Sequence, residues 1–206
     1  MKNTVIFDMD GTLLDSGANI VDSINYARVR KGLEPLAADD VIERVNTLTY
    51  ASTRAFFGEN STDADHAAFE EYYNRSCLQN LRLYDGILPL LQALRDRGAK
   101  LAVATNATSV FAEKMLSFLG VRSFFGAILG ADLVVHAKPD PDMLFAALEL
   151  LGSKADDAVF VGDSGKDITA ANSAGIMSVF VKWGYGVENR FATATIEHPD
   201  QLLGVI

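Results

Sequence analysis

The apolar positions of this chain follow two periods in alternation. Thr4-Val5-Ile6-Phe7 is a short, continuous, β-rich run, the pattern of a strand buried on both faces of a parallel sheet, and it delivers Asp8 to the sheet edge. Across 86–97 the residues Ile87, Leu90, Leu91 and Leu94 recur at helical spacing, and Gly98 closes the pattern as a C-terminal cap. The cycle then repeats. A strand is predicted over 101–104, a helix through Phe111, Met115, Leu116 and Leu119 to Gly120, and a strand near 127–129. Met143, Leu144, Ala147, Leu148 and Leu151 predict a further helix ending at Gly152; a strand over 158–161, a short helix over 167–174 stopped by Gly175, and a final strand over 178–181 complete the series. Strands and helices alternating at these lengths predict an α/β fold, a doubly wound parallel sheet.

The pattern changes between about residues 15 and 81. Strand-like runs vanish there, and Ile20, Ile24 and Ala27, then Val41, Ile42 and Val45, recur at helical intervals. A polar helix carrying Phe69, Tyr72 and Tyr73 is expected over 63–80, after a loop at 58–63, with both tyrosines in the core of the helical segment. The chain is therefore expected to form an α/β core from residues 1–14 and 82–206, with a small helical cap, residues 15–81, inserted after the first strand. Such an insert sits above the sheet rim, where it covers a substrate and excludes water.

Composition narrows the partners. A chain of 206 residues is long enough for one good core with a smaller module, and a net charge of −9 argues against nucleic acid, which is bound through clustered Lys and Arg. A single cysteine, Cys77, forms no internal disulfide and reads as a packed small hydrophobe. With no signal-peptide pattern and no apolar stretch near the ~20 residues of a membrane span, the expected setting is the cytoplasm, with no membrane partner. His66, His136 and His198 lack ligand spacing and read as surface or structural residues. No role is assigned to Trp183 or Tyr185, which follow the last predicted strand among Gly184 and Gly186.

Four clusters carry candidate chemistry, each at or just past the end of a predicted strand: Asp8-Met9-Asp10-Gly11-Thr12, Thr105-Asn106, Lys138-Pro139 and Gly162-Asp163-Ser164. Open α/β sheets keep their chemistry on that rim. Asp8 and Asp10 suit a hard cation such as Mg²⁺, which takes oxygen ligands and rarely more than one or two carboxylates, and Asp163 is a candidate remote ligand. With a metal offsetting the repulsion, an aspartate can attack phosphorus, and Asp10 can protonate the leaving oxygen and later activate water. Thr105, Asn106 and Lys138 offer a hydroxyl, an amide, backbone N–H groups and a fixed positive charge to phosphate oxygens. Ser164 and Asp167 are placed behind them, Asp167 orienting either Lys138 or a metal-bound water.

Taken in order and spacing, these clusters resemble the four motifs of the haloacid dehalogenase superfamily, over essentially the whole chain, and the insert resembles the helical cap of its phosphoglycolate phosphatase-like branch. The resemblance implies Asp8 as nucleophile, Asp10 as acid and base, Thr105 and Lys138 on the phosphate, and Asp8, Asp163 and the Asp10 carbonyl on Mg²⁺. The second carboxylate, Asp10, points to phosphate chemistry rather than dehalogenation. The implied activity is a Mg²⁺-dependent phosphatase acting on a small phosphorylated metabolite; the alternatives are a phosphosugar mutase of the β-phosphoglucomutase kind and a non-catalytic binding or regulatory protein. The branch commonly carries a Gly-containing stretch where this chain has Arg44-Val45-Asn46-Thr47-Leu48-Thr49. The mutases typically place a Lys and an Arg where Asn46 and Tyr50 stand here, which makes a mutase the weaker reading. Arg44 and Arg54 are candidates for a substrate carboxylate or second phosphate, against a solvent-facing reading for both.

Overall fold

Apolar runs too short to stand alone become strands only by pairing, and the first of them takes the centre. In the computed structural model, which describes residues 2–47, 53–187 and 191–206, the chain begins with β1 (Thr4–Phe7) and passes through β2 (Leu14–Asp15). It then enters the helices α1 (Gly17–Arg30), α2 (Ala38–Thr47), α3 (Thr53–Phe57) and α4 (Asp63–Ser76). It returns through β3 (Arg82–Leu83), followed by α5 (Ile87–Asp96), β4 (Lys100–Ala104), α6 (Ser109–Phe118), β5 (Ala127–Leu129) and α7 (Asp142–Leu151). After β6 (Ala158–Gly162), α8 (Gly165–Ser173) and β7 (Met177–Val181) come β8 (Ala194–Ile196) and α9 (Leu202–Val205).

The main sheet runs β5-β4-β1-β6-β7-β8, with every neighbouring pair parallel. The chain winds outward from β1 to β5, then crosses back over β1 to β6 and winds the other way, so the order reverses at β1. Strand alternation sends Val5, Phe7, Leu101, Val103, Val159 and Val161 to one face, against Leu91 and Leu94 of α5 and Met115 and Leu116 of α6. Ile6, Ala102, Ala104 and Phe160 go to the other, against Met143, Leu144 and Ala147 of α7 and Ala170 and Ala171 of α8. This is the doubly wound parallel sheet expected from the periodicity. Every strand end that carries a candidate residue therefore lies on one rim, beside the reversal point.

Three departures from the sequence pattern have local causes. β8 was not expected beyond the strand at 177–181; it is three residues long, and of those only Ile196 is buried, too little to register as an apolar run. The helix expected to reach Asn80 ends at Ser76, and Asn80 takes a left-handed turn (φ 54°) instead. β2 and β3, two residues each, pair antiparallel with Leu14 opposite Leu83 and Asp15 opposite Arg82, a ribbon too short to show a period.

Between the ribbon strands, Ile24, Ala27, Val41, Phe56, Phe57 and Ala68 build a cluster of their own. Tyr72 stacks on Tyr26 with ring centroids 4.4 Å apart. Tyr73 departs from expectation: its edge-to-face contact with Phe111 and its hydroxyl on Met115 Sδ (3.6 Å) join it, with buried Cys77 and Leu81, to the cluster under the sheet. The helices above the rim are thus keyed into the core through α4. Lys166 of α8 adds a polar link, donating to Val45 O of α2 at 2.5 Å. Among the described residues no helix is long and apolar enough to cross a membrane.

Candidate active site

The register of β1 with its neighbours fixes the first candidate residue. Phe7 pairs with Val103 and Val161, so Asp8 is the first residue past the paired strand, its N–H still donating to Val161 O at 2.8 Å. Thr105 stands just past β4 with its N–H on Leu129 O (2.9 Å), and Asp163 and Ser164 follow β6 directly. Lys138 reaches the same point from the loop between β5 and α7. All four sequence clusters meet on the rim.

Lys138 is their hub. Its buried ammonium donates to Asp8 Oδ1 (2.6 Å), Asp167 Oδ1 (2.7 Å) and Ala104 O (2.7 Å), which uses all three of its protons. Burial pushes the ammonium's pKa down, and the carboxylates of Asp167 and Asp8 more than offset that, so Lys138 stays charged. The other oxygen of Asp167 accepts the Ser164 N–H (2.9 Å) and hydroxyl (2.6 Å) in a capping box that opens α8. Asp167 is therefore locked from both sides, and it orients Lys138 as one of its two sequence readings required. Asn106 plays a part that its type does not announce. Its amide nitrogen donates to Lys138 O (2.9 Å) and its amide oxygen accepts the Lys138 N–H (3.1 Å), so the side chain clamps the lysine's main chain. Thr105 is buried, and its hydroxyl accepts the Ala107 N–H at 3.1 Å.

Asp163 and Asp10 are held by residues without an assigned role in the sequence. Asp163 Oδ2 accepts the N–H groups of Tyr185 (2.7 Å) and Gly186 (3.2 Å), and Oδ1 faces the Thr12 hydroxyl at 3.4 Å. A Cβ at Gly11, which also has φ +82°, or at Gly184 would collide with the Asp163 side chain, and one at Gly186 with its main-chain carbonyl, so the carboxylate's seat requires glycine on both sides. The Tyr185 hydroxyl accepts the N–H groups of Ser16 (2.7 Å) and Gly17 (2.6 Å) at the start of α1, and Trp183 Nε1 donates to Thr12 O (3.0 Å). One loop thus fixes a rim carboxylate and the point where the chain leaves the rim. Asp10 Oδ1 accepts the Ser16 hydroxyl at 2.5 Å. Burial pushes the Asp10 carboxyl's pKa up, with the Ser16 hydroxyl pulling it partly back. The readable trace of this loop was an aromatic between two glycines after the last long strand, on the same rim.

The carboxylates outnumber the cation they surround. Ligand oxygens of Asp8, Asp163 and Asp167 lie within 4.8 Å of one another. Burial pushes Asp8 well above the ordinary carboxylate range, Lys138 pulling it back and Asp167 and Asp163 pushing again. Asp163 is pushed up to about 7, by burial and then by Asp167. An all-oxygen, buried cluster with surplus negative charge fits a hard divalent cation. Asp10 contributes no side-chain oxygen to that cluster, leaving its carbonyl as the ligand the resemblance implied; Asp167 lies closer to the cluster than the sequence placed it.

Above the rim lies a cavity of about 450 Å³. Its floor is Asp8, Asp10, Thr105, Lys138, Asp163 and Asp167, and its roof is Ile20, Ile24, Val45, Phe56, Phe57 and Phe69. Neither arginine candidate lines it: Arg44 donates to Ala55 O (2.7 Å), and exposed Arg54 faces Glu59 at 3.8 Å. Asn46 does line it, while Leu48, Thr49 and Tyr50 lie outside the described residues. His66 sits at the cavity beside Glu70 (3.4 Å), and His136 pairs with Asp142 (3.1 Å) away from it.

Comparison with known proteins agrees with this geometry. The family model described as haloacid dehalogenase-like hydrolase matches residues 5–181. Phosphoglycolate phosphatase of Agrobacterium fabrum is 34% identical over 187 residues, 87% of this chain and 80% of that protein. N-acetylmuramic acid 6-phosphate phosphatase of Pseudomonas aeruginosa is 31% identical over 211 residues, 98% of this chain and 93% of that protein. The crystal structure of a predicted phosphoglycolate phosphatase from Haemophilus somnus superposes with a TM-score of 0.86 at 25% identity, covering 99% of this chain and 97% of that one.

Proposed function

This chain belongs to the haloacid dehalogenase-like hydrolases, and from that premise we propose that it is a Mg²⁺-dependent phosphatase of small phosphorylated metabolites working through a phosphoaspartate at Asp8. The observation that carries the reading is the pairing of two carboxyls with unlike partners under one cavity: Asp8 accepts from the Lys138 ammonium at 2.6 Å, a cation that favours its ionised form, whereas Asp10 accepts from the neutral Ser16 hydroxyl. Environments that separate two carboxyls divide nucleophile from acid. The relatives named as phosphatases of phosphoglycolate and of N-acetylmuramic acid 6-phosphate support the class.

Asp8 attacks phosphorus, forming its Oδ–P bond as the ester P–O bond breaks, and Asp10 gives its proton to the departing alkoxide. Asp10, now ionised, takes a proton from water as that water attacks the phosphoaspartate, which releases inorganic phosphate and restores Asp8. The Thr105 hydroxyl and the Asn106 backbone N–H would donate to the phosphoryl oxygens, and Lys138, its three protons held by the floor, would act on them through its fixed charge where charge spreads in the transition state. Asp8, Asp163 and the Asp10 carbonyl would hold Mg²⁺, with Asp167 adjacent; when bound it offsets the repulsion between nucleophile and phosphate dianion. The roof of the cavity excludes water from the floor.

A mutase needs a second phosphate grip above the rim; among the described residues no arginine lines the cavity, and Lys166, the lysine that lines it besides Lys138, donates to Val45 O. The test is phosphate release from a panel of phosphorylated metabolites with Mg²⁺ and with EDTA, together with acid-quenched mass spectrometry for a phosphoryl group on Asp8. Metal-dependent release with Asp8 labelled is expected; activity that survives Asp8→Asn would defeat the mechanism.

A further inference from the structure

The roof of the cavity differs in kind from what an anionic substrate requires. A two-carbon acid phosphate carries a carboxylate that must be met by a cation or a set of N–H donors once water is excluded. Ile20, Ile24, Val45, Phe56, Phe57, Phe69, with Phe111 from the core side, present hydrocarbon instead. The charged groups that line the cavity beyond the floor are Glu70, which repels a second anion, and Lys166, whose ammonium is drawn to Val45 O at 2.5 Å. The basic side chains nearby are turned to main-chain carbonyls: Arg44 to Ala55 O, Arg28 to Glu34 O and Phe56 O, and Lys166, with one of its three protons, to Val45 O. Lys138 is saturated by the floor. Residues 48–52, which lie outside the described residues, read Leu-Thr-Tyr-Ala-Ser and contain neither Lys nor Arg.

One polar atom breaks the apolar surface. Asn46 lines the cavity, and its amide nitrogen is buried without a hydrogen-bond partner, the one such side-chain atom among the described residues. A buried donor left unpaired is costly, so a site of this composition gains from a ligand that brings an acceptor to it. The volume, about 450 Å³, lies within the range of pockets that enclose ring-sized organic ligands.

We propose that the substrate is a phosphomonoester whose organic part is neutral, ring-sized and largely apolar, seated against Phe56, Phe57 and Phe69, with one hydrogen-bond acceptor directed at Asn46. The proposal rests on the phosphatase reading and narrows it away from phosphoglycolate and from bisphosphorylated sugars.

The test compares esters of primary alcohols, so that leaving-group chemistry stays alike: 2-phenylethyl phosphate, ethyl phosphate and 2-phosphoglycolate, each with the full-length protein and Mg²⁺. Burial of the ring predicts kcat/KM for 2-phenylethyl phosphate above both others by about tenfold or more. The three pyridylethyl phosphates then scan an acceptor round the ring; one isomer is expected to exceed the phenyl compound, and Asn46→Ala is expected to close that gap. Release of phosphate fastest from 2-phosphoglycolate, or equally from all three esters, overturns the proposal and leaves the phosphatase reading standing. No release from any ester overturns both. A pyridyl preference that survives Asn46→Ala removes Asn46 from the assignment.

Discussion

The floor and the roof of one cavity are built on opposite terms. On the floor each charged group has a partner: Lys138 spends three protons on Asp8, Asp167 and Ala104 O, Asp167 is closed by Ser164, and Asp163 is seated by two backbone N–H groups. On the roof the packing is apolar, and a single amide, that of Asn46, points at nothing. A network fixed at both ends tolerates no substitution of type, because each loss strands a buried partner. A hydrocarbon surface tolerates exchange of one apolar shape for another. On the proposed reading, reaction and selectivity are thereby assigned to two surfaces of one cavity.

Substitutions on the two sides should differ accordingly, and the largest effect is expected at Asp8, the proposed nucleophile. Asp8→Asn keeps a hydrogen-bonding amide of the same size but removes the attacking oxyanion; steady-state turnover should fall by on the order of 10⁴-fold or more with the far-UV circular dichroism unchanged. Asp10→Asn should cost ~10²- to 10⁴-fold by removing proton transfer, and its pH–rate profile should lose the limb that wild-type Asp10 supplies. Lys138→Ala strands Asp8 and Asp167 as buried carboxylates, so chemical denaturation should register a loss of about 3–5 kcal/mol; a loss near zero would mean that the floor is looser than its distances. A milder probe is the cation itself. Asp163, raised from 3.8 to about 7, binds a proton in the fold that the unfolded chain has already released, so in EDTA its contribution to stability is present below pH 3.8 and is lost as pH rises towards 7. Millimolar Mg²⁺ needs the ionised form, and should therefore raise the melting temperature more at pH 8 than at pH 5; an equal rise would place the metal elsewhere. Last, Phe69→Ala on the roof should lower kcat/KM for 2-phenylethyl phosphate by roughly tenfold, chiefly through KM. A collapse of kcat comparable to that of Asp10→Asn would erase the distinction between the two surfaces.

The floor was legible in the sequence, and the roof was not, for a physical reason. Asp8, Thr105, Lys138 and Asp163 each follow an apolar run or lie in the loop beyond one, and parallel strands carry their ends to a common rim, so order along the chain translates into proximity. The supports of that floor were harder to see. Ser16, Tyr185 and the glycines at 11 and 186 act through single hydrogen bonds or through lack of bulk, and neither leaves a periodic mark. Asn106 shows the limit most plainly: its type was compatible with touching phosphate, and only the geometry reveals that both ends of its amide grip the Lys138 main chain. On the roof, helical periodicity located Ile20, Ile24 and Val45 but gave no information on which side of each helix faces a cavity and which faces its neighbours. Tyr73 was drawn toward the sheet by Phe111 and Met115, contacts between residues far apart in sequence.

The ribbon of β2 and β3 has a consequence for how such a protein can change. Leu14 stands opposite Leu83 and Asp15 opposite Arg82, with the Arg82 guanidinium on Asp15 at 2.6 Å, so the chain departs from the rim and comes back to it at adjacent points. Everything from residue 16 to residue 81 is an excursion with its two ends fastened together, and the strand order of the sheet does not depend on what the excursion contains. Recombination that swaps one such excursion for another would deliver a new selectivity to an unaltered reaction centre in a single step, provided that the newcomer brings a hydroxyl to the place of Ser16 and backbone N–H groups to the Tyr185 hydroxyl.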